Sequence, residues 1–135
     1  MTLNIPQPVW KGAKALVAGV ATDSSIASGC ASAFHHLGAD LALPYLNEKA
    51  RPHVEPHARQ LDASIFMPLD VSVPGQLEAV FAAIQRDWGK LDILVHSIAW
   101  APKDDLQGGL LESSAEGFAK AIDVSASYPA LASIR

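Results

Sequence analysis

The sequence is poor in the residues that mark several common classes of protein. It has one cysteine, Cys30, so a disulfide framework is excluded and a site built on clustered thiolates is not expected. The helical surroundings of Cys30 predict a small core side chain. No apolar run approaches the roughly 20 residues that cross a bilayer, and residues 1–10 lack the apolar core of a signal peptide. These absences predict a soluble, cytoplasmic protein.

Positive charge is also scarce and scattered. The formal net charge is −4, from 10 Lys and Arg against 14 Asp and Glu. Because nucleic acids and anionic membranes favour basic surfaces, neither is an expected partner. Apolar residues, by contrast, make up 50% of the chain and charged residues only 18%, which is the balance of a globular protein. The 135 residues are expected to form a single domain.

Short apolar runs alternate with amphipathic stretches along the chain. Strands are predicted at 14–19, 41–46, 65–71 and 91–96, although Pro44 is awkward inside the second. Helices are predicted at 25–37, at 52–61, from Ser72 and Pro74 to Gly89, and from Ser113 towards Val124, with a loop at 99–109. The apolar face of the first helix is expected to carry Ile26, Cys30, Phe34 and Leu37. This alternation predicts a three-layer, Rossmann-like α/β fold with a doubly wound parallel sheet, cut off after about four strands.

Sheets of this kind bind ligands beyond the carboxyl ends of their strands. The first predicted strand is followed by Gly19-Val-Ala-Thr-Asp-Ser-Ser-Ile-Ala-Ser-Gly29. A glycine at a strand exit permits a tight turn, and the N–H groups at the start of the next helix attract a phosphate. The segment is not G-x-G-x-x-G, so on its own it leaves an ordinary strand–helix junction as an open alternative.

Two further strand exits carry suitable side chains. Asp70 ends the third predicted strand, where its carboxylate suits an adenine amino group and Val71 suits the adenine ring. The alternative is that Asp70 caps the helix that Ser72 begins. The fourth strand ends in His96-Ser-Ile-Ala99, whose small residues suit a nicotinamide ribose lying against the backbone. His96 by itself is more typical of a packed histidine than of a catalytic one.

Together these segments resemble the enoyl-acyl carrier protein reductases, a divergent branch of the short-chain dehydrogenase/reductases. The resemblance runs from about Lys11 to Ser125, and its most specific part is the His-Ser-Ile-Ala stretch, where ordinary members of the superfamily carry an Asn-Asn-Ala-Gly type sequence. The matching segments are Gly19-x5-Ser25-Ile26-Ala27-x-Gly29, Tyr45-Leu-Asn-Glu-Lys49, Leu69-Asp-Val71, Leu94-Val-His-Ser-Ile-Ala-Trp-Ala-Pro102 and Glu116-Gly-Phe118.

The resemblance implies an oxidoreductase of fatty-acid biosynthesis that uses NADH to reduce the double bond of a trans-2-enoyl thioester on acyl carrier protein. It implies a homotetramer for the full-length family. The implied cofactor contacts are Gly19, Ser25 and Ile26 at the pyrophosphate and ribose, Leu46 at the adenosine ribose, Asp70 and Val71 at the adenine, and Ser97, Ile98 and Ala99 at the nicotinamide, with Ala101 facing the substrate. Since neither Leu46 nor Asn47 is basic, NADH is favoured over NADPH, although Lys49 and Arg51 lie close by.

No catalytic residue is assigned within this sequence. In the family a tyrosine donates a hydrogen bond to the developing enolate, and a lysine seven positions later holds the cofactor ribose; both follow a fifth strand, which would lie after residue 135. Two pairs have similar spacings: Tyr45 and Lys49 have the Tyr-x3-Lys spacing of the wider superfamily, and Tyr128 and Arg135 are seven apart, as in this branch. Neither pair is expected to be catalytic. The chain is therefore expected to be inactive alone.

Two alternative functions remain open. The residues also suit a related short-chain reductase with another substrate, or a catalytically silent module that binds a dinucleotide or a partner. His53 and His57 are expected to be solvated surface residues and not metal ligands. The fourth strand is expected to form an open sheet edge, and the chain to be marginally stable.

Overall fold

The computed structural model describes residues 9–127, and they form two compact units that divide after Ser97. The first unit contains strands β1 (Lys14–Ala18), β2 (Asp40–Ala42) and β3 (Ile93–His96) and helices α1 (Ile26–His36), α2 (Arg51–Gln60) and α3 (Gln76–Asp87). The second contains α4 (Lys103–Gln107), a 3-10 turn (Leu110–Glu112), α5 (Ala115–Ile122) and a π-helical turn (Asp123–Ser127). No helix among these is long and apolar enough to cross a membrane.

The three strands form one parallel sheet in the order β2-β1-β3. Leu16 at the centre of β1 pairs with Ala42 on one side and with Leu94 on the other. Helical crossovers join the strands, so the predicted α/β class with a parallel sheet is confirmed. Among the described residues β3 forms an edge of this sheet, and Leu94 is 38% exposed there.

The predicted third strand is not a regular strand. It runs parallel to β2 and the segment after β2, and contacts them through two isolated bridges, at Ala42 and at Tyr45. Leu43 N–H donates to Ile65 O (2.9 Å) and Tyr45 N–H donates to Met67 O (3.0 Å). Leu69 N–H donates to Tyr45 O (2.7 Å), but Ile65 N–H lies 3.5 Å from Leu41 O, and the bridges do not join into a continuous ladder. The segment nevertheless lies beside β2 and parallel to it.

Strand β2 is shorter than predicted, ending at Ala42 and not at residue 46. Successive N–H groups of a strand point to opposite neighbours, and those of Leu43 and Tyr45 point away from β1. The N–H that would continue the pairing with β1 belongs to position 44, which is proline. Pro44 therefore ends the β1–β2 ladder.

The predicted apolar face of α1 was wrong at Ile26. Ile26 is 82% exposed, whereas Ala27, Ser28 and Ala31 are buried. Small side chains on the inner face let the helix backbone lie close to the sheet. Because those residues face the sheet, Ile26 faces outward. Cys30 is only half-buried.

Two other boundaries differ from the prediction. Helix α3 begins at Gln76 and not at Ser72, because Gly75 at its N-cap has a left-handed φ of +88° that cannot continue a helix. The predicted loop at 99–109 contains the short helix α4. By contrast, α2 lies within one residue of its prediction despite Pro56, since Val54 and Ala58 are buried against the core.

The core lies between the sheet and its helices in the first unit. β1 is its centre, with Ala15, Leu16 and Val17 each at most 1% exposed. The largest fully buried apolar side chains are Leu16, Leu41, Leu43, Val17, Val54 and Val80. This core fixes where each strand ends and therefore positions the polar segments that follow the strands.

Candidate functional site

The carboxyl ends of the strands bring the predicted site residues of the first unit to one edge of the sheet. All strands are parallel, so the residues after β1, β2 and β3 emerge on the same side. Ser97 N–H donates to Ala18 O (2.9 Å), which extends the β1–β3 ladder past His96 and holds Ser97 next to the start of the glycine loop. Ser97 itself is exposed.

The loop after β1 (residues 19–25) presents the start of α1. Gly19 has a φ of +107°, a conformation that favours glycine. Ser25 caps the helix, since its Oγ accepts from Ser28 N–H (3.3 Å) and donates to Thr22 O (2.8 Å). The first N–H groups of a helix, here those of Ile26 and Ala27, have no partner inside it. This end of α1 therefore offers N–H donors and the positive end of the helix dipole to an anion.

The exit of β2 carries a compact charged cluster. The Tyr45 hydroxyl donates to Glu48 Oε1 (3.0 Å), and the Arg51 guanidinium lies 5.6 Å from the Tyr45 ring centroid. Arg51 also contacts carboxylate oxygens of Glu48 (3.4 Å) and Glu55 (3.5 Å). Burial raises the pKa of the Tyr45 hydroxyl, and the hydrogen bond to Glu48 raises it further. Leu46, next in the chain, is 51% exposed.

Asp70 is half-buried and held in a defined turn. Its Oδ1 accepts from Ser72 N–H (2.8 Å), and its own N–H donates to Gln76 Oε1 (2.7 Å). The carboxylate thus caps a turn and not a helix, because the N-cap of α3 is Gly75. Val71 beside it is 6% exposed. The turn thus holds an oriented carboxylate next to a buried apolar side chain.

The predicted nicotinamide and substrate contacts continue into the second unit. There Ile98 and Ala101 are half-buried and Ala99 is exposed. The backbone of this segment is held by Trp100 N–H, which donates to Ser125 Oγ (3.1 Å).

The start of α5 is held separately within the second unit. Asp105 accepts from Ser114 N–H (2.9 Å) and Ser114 Oγ (3.1 Å), and Ser114 Oγ accepts from Gly117 N–H (2.9 Å).

The sequence did not predict one hydrogen-bonded pair of side chains beside the candidate site, Ser28 and His57. Ser28 is 1% exposed, and its Oγ lies 2.7 Å from Asp23 O and 2.8 Å from His57 Nε2. The expectation that His57 is solvated was therefore wrong, because it is half-buried and hydrogen-bonded. One signal was available: His57 stands three residues after Val54 and next to Ala58, at the border of the buried stripe of α2.

Of the two tyrosine pairs with catalytic-like spacing, the structure describes only one. Tyr45 is buried, with its hydroxyl bound to Glu48, and Lys49 is exposed. Tyr128 and Arg135 lie outside the described residues. Among residues 9–127 no three His, Cys, Asp or Glu side chains are grouped in a way that would hold a metal ion.

Comparison with known proteins places these features in a family. The family model described as enoyl-(acyl carrier protein) reductase matches residues 19–133. The NADH enoyl-[acyl-carrier-protein] reductase of Salmonella typhimurium is 44% identical over 123 residues, which are 90% of this chain and 47% of that protein. The corresponding Aquifex aeolicus protein is 40% identical over 115 residues, 85% of this chain and 43% of that protein.

Solved structures agree with the sequence comparison. The crystal structure of the Aquifex aeolicus NADH reductase superposes with a TM-score of 0.84 at 39% identity, covering 92% of this chain and 49% of that one. A reductase from Anaplasma phagocytophilum, solved in complex with NAD, gives 0.81 at 32% identity, covering 91% of this chain and 47% of that one. The chain thus spans about half the length of the relatives it matches. The fold is the Rossmann fold of these enzymes over that length, and the chain belongs to the enoyl-(acyl carrier protein) reductase family.

Proposed function

We propose that this chain forms the dinucleotide-binding part of an NADH-dependent enoyl-acyl carrier protein reductase. The observation that carries the proposal is the common edge of the parallel sheet, where the Gly19 loop, Asp70 and Ser97 follow neighbouring strands or the segment beside them. Membership of the reductase family supports the same assignment. Residues 1–135 are proposed to act as a single Rossmann domain.

Each exit has chemistry that suits one part of the cofactor. The loop at Gly19, the Ser25 cap and the exposed Ile26 suit the pyrophosphate and its ribose, because N–H donors and a positive helix end attract phosphate. The Asp70 carboxylate suits the adenine amino group and Val71 the ring face. Leu46 is assigned to the adenosine ribose, Ser97, Ile98 and Ala99 to the nicotinamide, and Ala101 to the thioester substrate.

The bound cofactor supplies the hydride for the β-carbon of the enoyl thioester. The residues of this chain bind and orient it, and none of them is assigned to proton transfer. We propose that the tyrosine that stabilises the enolate and the lysine that holds the ribose, both implied by the resemblance, are not among these residues. Acyl carrier protein as the substrate carrier, a tetrameric assembly and a cytoplasmic location remain predictions for the whole enzyme.

NADH binding by the 135-residue chain is the direct test. We expect NADH to bind and to quench tryptophan fluorescence, and we expect Asp70→Ala to weaken that binding because it removes the acceptor for the adenine amino group. We also expect no oxidation of NADH when an enoyl thioester is added. A folded chain that fails to bind NADH would refute the proposed site, and turnover would refute the assignment of the catalytic groups outside these residues.

Preference for NADH over NADPH follows from the charges near Leu46. Near the β2 exit, Arg51 forms ion pairs with the carboxylates of Glu48 and Glu55, which already neutralise its charge. We expect the double variant Glu48→Gln/Glu55→Gln to bind NADPH severalfold more tightly, because it releases Arg51 to pair with the 2′-phosphate.

The matched control adds Arg51→Gln to that double variant. It should return NADPH affinity to the original value while NADH affinity stays the same in all three proteins. Unchanged NADPH affinity in the double variant would show that Arg51 does not reach the 2′-phosphate. Isothermal titration with both cofactors gives all the values.

A further inference from the structure

We propose that His57 is a positioning residue that holds the phosphate-binding loop in shape through Ser28. The inference rests on the proposed function, since it assigns a role beside the proposed pyrophosphate site. It starts from a buried hydroxyl that joins two segments 29 positions apart, helix α2 and the start of α1.

Burial makes the Ser28 hydroxyl dependent on its partners. At 1% exposure it has no access to bulk water, and an unsatisfied buried hydroxyl is costly. Its two neighbours are the carbonyl oxygen of Asp23 at 2.7 Å and Nε2 of His57 at 2.8 Å. Both distances are those of well-formed hydrogen bonds.

Counting protons fixes the direction of both bonds. A hydroxyl has one hydrogen, and a carbonyl oxygen can only accept, so Ser28 Oγ must donate to Asp23 O. The hydrogen between Ser28 and His57 then has to come from the imidazole. His57 is therefore held with hydrogen on Nε2, and the bonds run from His57 to Ser28 to Asp23.

This series of hydrogen bonds ends inside the loop that follows β1. Asp23 O accepts from Ser28 of α1, and Thr22 O accepts from Ser25, the N-cap of α1. A carbonyl oxygen that rotated towards the cofactor would repel a phosphate. The hydrogen bond from His57 gives the Ser28 oxygen a donor and fixes its orientation. The Ser28 hydroxyl in turn fixes the orientation of the Asp23 carbonyl.

Two variants of His57 separate the hydrogen bond from packing. His57→Met removes the donor and keeps an apolar side chain of comparable reach, whereas His57→Gln keeps an N–H donor near the position of Nε2. We expect H57M to weaken NADH binding about tenfold, because the buried Ser28 oxygen loses its donor and the Asp23 carbonyl loses its fixed orientation. We expect H57Q to remain within about twofold of the original chain, by the same reasoning.

Adenosine is the probe that distinguishes positioning from general damage. It lacks phosphate, so its affinity should be the same in the original chain and in H57M. Equal NADH affinity in H57M and the original chain would overturn the proposal. So would an equal loss of adenosine binding, which would indicate a structural defect that reaches beyond the loop.

A measurement without cofactor keeps the inference testable if the proposed function fails. The ¹⁵N chemical shifts of the His57 ring should show hydrogen on Nε2 in the unliganded chain. In H57M the amide of Ser28 should exchange faster with solvent, whereas in H57Q it should not. A ring with hydrogen on Nδ1 alone would refute the bond direction. Failure of the original chain to bind NADH would refute the proposed function instead.

Discussion

Replacing Leu16 with alanine is expected to lower the free energy of unfolding of this chain by about 2–5 kcal/mol, the range for large-to-small changes in a packed core. Leu16 is 1% exposed at the centre of the middle strand. The loss combines the transfer free energy of the missing methyl groups with the cavity left between the sheet and its helices. Because small domains have only about 5–15 kcal/mol of stability in total, this is the largest single effect we expect.

The chain provides a matched control on the neighbouring strand. Leu94 is the register partner of Leu16, in the same sheet with the same side chain, but is 38% exposed. Leu94→Ala should therefore cost about 1 kcal/mol, since much of that side chain is already in water. Urea unfolding followed by circular dichroism measures both values. Equal losses for the two variants would contradict the assignment of the core to β1.

Changing Gly19 to alanine is expected to weaken NADH binding at least about tenfold, which corresponds to 1.4 kcal/mol or more. The φ of +107° at this position is one that side chains with a Cβ rarely adopt. Holding alanine there costs about 1–3 kcal/mol, and relieving that strain would move the backbone where the pyrophosphate is proposed to lie.

Gly29 serves as the comparison for Gly19. It lies inside α1, and an added Cβ would have no heavy atom within 4 Å apart from its chain neighbours and the backbone of its own helix. Gly29→Ala should leave NADH affinity unchanged and stabilise the chain by about 0.5–1 kcal/mol, because alanine favours a helix over glycine. If G19A binds NADH as tightly as G29A does, the loop after β1 is not the phosphate site.

The parts of the fold that the sequence predicts well are those determined by neighbouring residues. The exit of β1, the start of α1 and the α2 helix each depend on residues within a few positions of one another, and the structure has them within one residue of the prediction. The predicted third strand failed because its pairing with the 42–45 segment is limited to two isolated bridges, and the extent of pairing depends on the partner strand. Apolar alternation carries no information about that partner.

Side-chain environments were harder to predict than segments. Ile26 has the right spacing for a buried helix face, but the choice between adjacent faces depends on how closely the helix approaches the sheet, which Ala27 and Ala31 decide. The Ser28–His57 bond joins positions 29 apart, and no local pattern specifies such a contact. The resemblance to the reductases indicated the candidate cofactor contacts, whereas only the structure shows which side chains hydrogen-bond behind them.

The position of β1 between strands from distant parts of the chain also bears on synthesis. On one side β1 meets β2 soon after it is made, since Lys14 contacts Asp40 only 26 positions later. On the other side Lys14 N–H bonds to Asp92, 78 positions later. At about 5–20 residues per second, the ribosome needs roughly 4–16 s to supply that second partner. Throughout that interval β1, the most deeply buried strand of the sheet, has at least one unpaired edge, so we expect chaperones to bind it until β3 emerges.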